Sequence, residues 1–337
     1  MKFDFAKQFT GDDPFTDILG QDRTKFQLKS ALLMNRHLLI VGAPGIGKTT
    51  LAKNVAKLLP PKTLSTCEFH CDPKQPRCTA CRKKQPRTAR IPGAERFVRV
   101  QGSPDLTVED LLGDIDPIMA LKFGPSSPEA FSPGKIFRAN HGILFFDEVN
   151  RAPEKIQNSL LQVLEEGTAT LSGFRVEVPT NFLFIGTMNP EEAAATEKLS
   201  AVFMDRVDVV HMSYPDSQDL EEQIVRKKGK TLDVEFPQKV LRLLIVFVRR
   251  IREHKDVQKK PSVRVSIGLF ERAQANAFLH GLSTVSMKEV QEAIISVLSH
   301  RIELKPSVKY LQTPKEFLAQ ELEKFARDMG LDGGDGL

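Results

Sequence analysis

Three groups of residues in this chain have types and spacings suited to chemistry. Gly42, Gly47, Lys48 and Thr49 stand in the order G-x-x-x-x-G-K-[ST] within Val41-Gly-Ala-Pro-Gly-Ile-Gly-Lys-Thr-Thr. Glycines so placed let consecutive backbone N–H groups turn inward around phosphate oxygens, at the positive end of the helix that follows. Ala43, Pro44, Gly45, Ile46 and Thr50 complete the cradle; Lys48 would reach the terminal phosphates and the Thr49 hydroxyl a Mg²⁺ ion. Asp147 and Glu148 are an adjacent acid pair closing the apolar run Ile143 to Phe146. Asp147 suits the Mg²⁺ shell, and Glu148 suits polarising a water that attacks a phosphate. Asn189, after the apolar run from Phe182, could orient the same water, although Asn-Pro also opens turns. The spacing Cys67-x₃-Cys71-x₆-Cys78-x₂-Cys81 fits four thiolates around one ion, Zn²⁺ first. An iron–sulfur cluster and free thiols are the alternatives, with His70 as a substitute ligand.

The elements that must position these groups follow from the apolar pattern. His37 to Val41 reads as a strand into the phosphate loop, and Leu51 onward as the helix after it. Ile143 to Phe146 and Phe182 to Thr187 read as strands buried on both faces, the mark of a parallel sheet. In an open α/β sheet the carboxyl ends of such strands are where ligands bind. The expected fold is therefore α/β, a P-loop NTPase αβα sandwich on a parallel sheet. Before it, a helix over 21–35 carries Phe26, Leu28, Ala31, Leu32 and Leu33 as its apolar face. Ile18 and Leu19 in the preceding segment are either walls for an adenine ring or ordinary loop packing.

Further along, Arg96 to Gln101 reads as a strand, Thr107 opens a short helix with a capping box, and 113–133 reads as loop. Another short helix is expected over 133–140, a longer one over 154–166, a β-hairpin within 167–182 turning at Ser172-Gly173, a helix over 197–203 and a strand over 207–212. Arg206, between those last two, is either half of a structural ion pair or an arginine finger for a neighbouring subunit's nucleotide. From Tyr214 the pattern is helices only, over 218–227, 237–253, 266–280, 286–301 and 313–329, giving a C-terminal all-helical domain. The tail 330–337 is expected to be disordered.

Composition bounds the setting. The longest apolar run, Leu243 to Val248, falls far short of the ~20 residues of a membrane span, and the N-terminus lacks an apolar secretory core. A cytoplasmic location is expected, where clustered cysteines argue for metal rather than disulfides. Of the net charge of +5, the segment 60–92 holds eight basic and two acidic residues, so the rest of the chain is near −1. That segment reads as a surface insertion with almost no apolar core, which a metal would have to fold. Its cations either solubilise the knuckle, the favoured reading, or bind nucleic acid or an acidic partner.

The order of phosphate loop, Asp-Glu strand, Asn-ended strand, Asp205-Arg206 and helical domain resembles the AAA+ ATPases over nearly the whole chain. The hairpin over 167–182 is similar to their pre-sensor-1 hairpin and 113–133 to a helix-2 insert. Both point to the clade of MoxR, the magnesium-chelatase ATPase subunit and the minichromosome-maintenance helicases. Phe146-Asp-Glu-Val-Asn-Arg-Ala-Pro resembles MoxR, while Ser262 to Gly281 and Leu298-Ser-His-Arg-Ile are similar to both MoxR and the chelatase subunit. The resemblance implies a Mg²⁺-dependent ATPase with a core over 1–213 and a lid over 214–329. It also implies a homo-oligomeric ring, a hexamer, and a partner protein bearing a von Willebrand A-domain. By the same resemblance Arg264 is the sensor-2 arginine, against a plainer reading as a solvated residue at a helix start. Remodelling or cofactor maturation of a partner protein is the leading expectation. A magnesium or cobalt chelatase subunit and a DNA-translocating motor are its rivals.

Overall fold

The computed structural model describes residues 3–84, 87–125, 127–170, 177–190 and 199–330. It divides into two compact units: 1–42 with 47–212, and 43–46 with 213–337.

In the first unit, α1 (Asp22–Leu33) leads to β1 (Leu38–Val41), and the phosphate loop to α2 (Lys48–Leu58). An antiparallel ladder of β2 (Lys62–Ser65) and β3 (Thr88–Ile91) frames the cysteine segment and its short helix α3 (Thr79–Lys83). Next come β4 (Phe97–Gln101), α4 (Val108–Leu112), β5 (Gly113–Ile115), α5 (Pro117–Phe123), β6 (Phe131–Pro133) and α6 (Lys135–Arg138). Then follow β7 (Ile143–Asp147), α7 (Glu154–Glu166), the antiparallel pair β8 (Thr168–Thr170) and β9 (Glu177–Pro179), β10 (Leu183–Met188), α8 (Ala201–Asp205) and β11 (Asp208–His211).

The core sheet has the order β11-β1-β10-β7-β4, and every pairing in it is parallel. All four residues of β1 and the first four of β7 are buried, as continuous apolar strands covered on both faces must be. Because β1 sits between β11 and β10, the chain crosses over repeatedly, and the strand ends at Val41, Asp147 and Met188 lie on one edge. This is the expected αβα sandwich.

Several expectations need correction. Residues 113–133 are not loop: β5 and β6 pair antiparallel and enclose α5, whose Ile118 and Leu121 are 76% and 91% exposed. The face of α1 is also shifted, since Phe26 is 74% exposed while Thr24 and Lys25 are buried. Lys25 donates to Asp13 Oδ2 at 2.6 Å and to the Ile18 carbonyl at 2.7 Å, so a polar tether to the N-terminal loop displaces the apolar stripe. The helix before Arg206 begins at Ala201, capped by Ser200. The hairpin turn at Ser172-Gly173, the start of the helix expected from Glu197, and the tail beyond Gly330 lie outside the described residues.

In the second unit, α9 (Gln218–Lys228), α10 (Gln238–Glu253), α11 (Val263–Leu279), α12 (Met287–Leu298), α13 (Pro306–Lys309) and α14 (Pro314–Asp328) surround one apolar cluster. Along α10, Leu241, Leu244, Ile245, Val248 and Ile251 are buried at 3–4 residue spacing. Reciprocal capping boxes start α12 (Ser286 and Glu289) and α14 (Thr313 and Glu316). The unit is not purely helical: β12 (Val257–Lys259) and β13 (Glu303–Leu304) pair antiparallel. Among the described residues no helix is long and apolar enough to cross a membrane.

Candidate functional site

The phosphate loop takes a conformation that its glycines permit. Gly45 and Gly47 have φ of +74° and +107°, where a β-carbon would strain the backbone. A Cβ on Gly47 would lie 3.3 Å from Ile18 Cδ1 and 3.8 Å from Met212 Cε, so the loop's end runs close to the segment proposed as an adenine wall. Ile18 is buried, Leu19 half-buried. That segment is tied to two helices: Lys25 of α1 holds Asp13 and the Ile18 carbonyl, while Asn54 and Lys57 of α2 hold Asp17 at 3.1 and 2.7 Å. Lys48 donates to the Gly42 carbonyl at 2.5 Å, so its ammonium lies over the loop it opens. The first turn of α2 carries no acidic side chain and no side-chain cap, which leaves its positive end suited to an anion.

On the same sheet edge, Asp147 and Glu148 are joined through a residue of the neighbouring strand. Thr187 Oγ1 donates to Asp147 Oδ1 at 2.7 Å and accepts from the Glu148 N–H at 2.9 Å. Arg99 from β4 donates to Asp147 Oδ2 at 2.6 Å. Glu148 takes a left-handed φ of 55°, and its Oε2 accepts from Arg151 at 2.9 Å and Gln101 at 3.3 Å. Gly102 admits this turn, for a Cβ there would meet the Glu148 carbonyl at 2.0 Å. Asn189, one residue past β10, is buried.

Two further arginines are candidates for this site. Arg206 precedes β11, whose first residue, Asp208, pairs with Leu38 at the entering end of β1; it therefore lies across the sheet from the phosphate loop. There it pairs with Glu165 of α7 and donates to the Val202 carbonyl at 2.8 Å. Arg264 is the second residue of α11 in the other unit, where Ala43–Ile46 also belong; a Cβ on Gly45 would lie 3.1 Å from Arg264 Cδ.

The four cysteine sulfurs lie within 4.8 Å of one another. A tetrahedral ion with Zn–S bonds of about 2.3 Å needs sulfurs about 3.8 Å apart, so a small contraction seats it. Backbone amides already point at the sulfurs at 3.4 Å: Cys71 N to Cys67, Arg77 N and Cys78 N to Cys71, and Cys81 N to Cys78. Such N–H···S bonds stabilise thiolate charge. Hydrogen bonding to Cys67, then burial, pushes the Cys71 thiol up; burial and Cys78 push Cys81 up to about 11; Cys71 pulls Cys67 down. Four sulfurs this close repel one another once ionised, and a divalent cation reverses that balance. The residues fit a metal. The segment is not the purely superficial excursion its composition suggests, because three of its cysteines are buried.

Comparison with known proteins agrees with this geometry. Residues 86–209 match the model of the ATPase family associated with various cellular activities, 14–71 that of magnesium chelatase subunit ChlI, and 249–321 that of the AAA lid domain. The chain is an AAA+ ATPase, similar over most of its length to magnesium-chelatase ATPase subunits. A magnesium-chelatase subunit ChlI homolog of Methanocaldococcus jannaschii is 28% identical over 95% of this chain and 93% of its own. The uncharacterized protein YeaC of Bacillus subtilis is 25% identical over 87% and 85%. A solved RuvB mutant of Thermotoga maritima, 16% identical, covers 84% of this chain and 72% of its own with a TM-score of 0.51, a likeness of fold alone.

As an AAA+ ATPase the protein hydrolyses ATP, and the sequence reading missed residues beside its acid pair. Thr187 and Arg99 both come from strands adjacent to β7. Thr187 left one signal, a hydroxyl at the carboxyl end of an otherwise apolar strand. Arg99 left none, because only the register that sets Gln101 against Asp147 brings it there. Met212 likewise reaches the phosphate loop only through the parallel pairing of β11 with β1.

Proposed function

We propose that the chain is one subunit of a hexameric ring in which ATP hydrolysis drives remodelling or metal-cofactor insertion and maturation of a partner protein, together with a protein bearing a von Willebrand A-domain. The observation that carries the reading is the joint hold of Thr187 on Asp147 and Glu148, on the edge from which the phosphate loop springs. In this reading residues 1–213 form the ATPase core, with insertions at 60–92, 113–133 and 167–182, and 214–329 form the lid, in a cytoplasmic protein.

The backbone from Gly42 to Thr50 and the Lys48 ammonium hold the triphosphate, and Ile18 walls the base. Thr49 and Asp147 would hold Mg²⁺, whose charge would neutralise that of the phosphate oxygens. Glu148 accepts the proton of the attacking water while Asn189 orients that water. Arg264 and a neighbour's Arg206 stabilise charge as it develops. Arg206 lies across the sheet from its own loop, which supports service to an adjoining subunit. Cys67, Cys71, Cys78 and Cys81 hold a structural Zn²⁺.

The test is ATP turnover by the purified chain, with Glu148→Gln expected to retain bound nucleotide and lose turnover. Loss of binding in that variant would sink the role given to Glu148. A second reading, the ATPase subunit of a magnesium or cobalt chelatase, is favoured by the end-to-end match to a relative named as a ChlI homolog. ATP-dependent metal insertion into a porphyrin-type ring, on mixing with the remaining chelatase subunits, would select it over remodelling. Salt-sensitive stimulation of turnover by DNA would instead select a translocating motor.

A further inference from the structure

The four-cysteine knuckle is more tightly built into the ATPase core than a solubilising insertion requires. Phe69, between Cys67 and Cys71, packs against both the cysteine cluster and the main hydrophobic core. Its ring lies 5.3 Å from Phe137 of α6 and 6.2 Å from Phe131 of β6, and those two meet edge to face at 5.9 Å. Asn140 donates to the Phe69 carbonyl at 3.1 Å and accepts from Asn181 N at 2.9 Å, which ties the plug to the entrances of β7 and β10. Two ion pairs flank the plug: Glu68 with Arg138 of α6 at 3.0 Å, and Lys83 of α3 with Glu129 just before β6.

We propose that the metal held by these cysteines braces the helical insert, β5-α5-β6, against the ATPase core by fixing the Phe69 plug between Phe131 and Phe137. The proposal rests on the reading of the cysteines as a metal site. The plug sits in the three-residue gap between two ligands, so its ring is aimed only while both sulfurs are held. Within 67–81 the other side chains are mostly polar, with no core to hold the loop otherwise. The β5–β6 ladder is three pairs long, and α5 between its strands has no buried residue. Such a ladder has little stability of its own. Aromatic pairs at these separations add a preference beyond burial, so a displaced plug would loosen the ladder first. The ATP-binding edge, built on β1, β7 and β10, carries its own buried strands and should be spared.

Hydrogen–deuterium exchange on the full-length protein, with metal content measured on the same samples, tests this. One equivalent of metal per chain is expected, and its removal by a zinc chelator should speed exchange in β5 and β6 at least tenfold. Amides of β1 and α2 should stay as protected as before. Phe69→Ala should keep the metal yet show the same acceleration, and Phe69→Leu should restore much of the protection. Metal present and removed with β5 and β6 unchanged would overturn the brace while sparing the metal site. A metal-free protein whose β5 and β6 exchange is indifferent to Cys78→Ser would overturn both. Equal acceleration in β1 and α2 would mean that the metal holds up the whole unit, and would overturn the local brace.

Discussion

Thr187 donates a hydrogen bond to Asp147 while accepting one from the backbone N–H of Glu148. One buried hydroxyl from the adjacent strand thus fixes the carboxylate assigned to Mg²⁺ and the peptide that aims the carboxylate assigned to water. Thr187→Val keeps the shape and removes both bonds. A buried hydrogen bond to a charged group is worth about 2 kcal/mol, so turnover should fall roughly thirtyfold. ATP affinity, set mostly by the loop and Lys48, should change little, and Thr187→Ser should recover most of the rate. Steady-state kinetics alongside nucleotide titration distinguishes this from a folding defect, which would lower both.

Arg206 forms an ion pair with Glu165 inside its own chain, which it would have to leave to serve a neighbour's nucleotide. An arginine supplied to a neighbouring site is worth about 10³ or more in rate. Arg206→Ala should therefore abolish turnover nearly as fully as Lys48→Ala. Mixing the two inactive variants should regain part of the activity, because some subunit boundaries would then join an intact loop to an intact arginine. If the pair with Glu165 is the residue's whole role, the mixture stays inactive and Glu165→Ala reproduces the loss.

How much of this was legible depended on whether the signal was local. The loop from Gly42 to Thr49, the acid pair and the capping boxes are encoded in runs of a few residues, and the sequence revealed them directly. Thr187, Arg99 and Met212 act through strand register, which a single sequence does not carry. Phe26 falls on the expected apolar face of α1 and is nonetheless exposed, because a buried Lys25 serving Asp13 and Ile18 looks, in the pattern, like an interruption. The pairing of β12 with β13 escaped notice because strands of two or three residues show no periodicity. The knuckle seemed superficial because the aromatic partners of its one phenylalanine lie more than fifty residues away.

Two histidines beside the core sheet make stability depend on mildly acid pH. Burial, with Arg36 adding, pushes His37 down to about 4; burial and then Lys62 do the same to His141. His37 Nδ1 accepts from the Phe184 N–H at 3.1 Å, a bond that only an unprotonated Nδ1 can take. Below an unfolded value near 6.5 the unfolded chain binds protons that the native chain refuses. Their contribution is therefore complete above pH 6.5 and lost progressively as pH falls towards 4. Urea midpoints measured from pH 8 to 4 should stay flat and then drop across that window, and His37→Gln should flatten the drop. An unchanged slope in the variant would remove His37 from the account.

In the second unit, Glu221 has 0% exposure, and its carboxylate takes both Arg252 nitrogens at 2.8 Å and the Ser266 hydroxyl at 2.6 Å. Arg252 also donates to the Pro261 carbonyl at 2.9 Å and lies 4.6 Å over the Tyr214 ring, so the guanidinium is satisfied on every side. Burying two ions is repaid only while both remain. Removing Arg252 leaves Glu221 with only Arg249, at 3.5 Å, and loss of a buried partner costs up to about 3–5 kcal/mol, whereas replacing both with apolar residues of similar size is often neutral. Arg252→Met should accordingly lower the midpoint of thermal unfolding by several degrees, while Arg252→Met with Glu221→Leu should recover much of the loss. A double variant no better than the single would mean that Ser266 and the Pro261 carbonyl, left without their partners, hold the larger share.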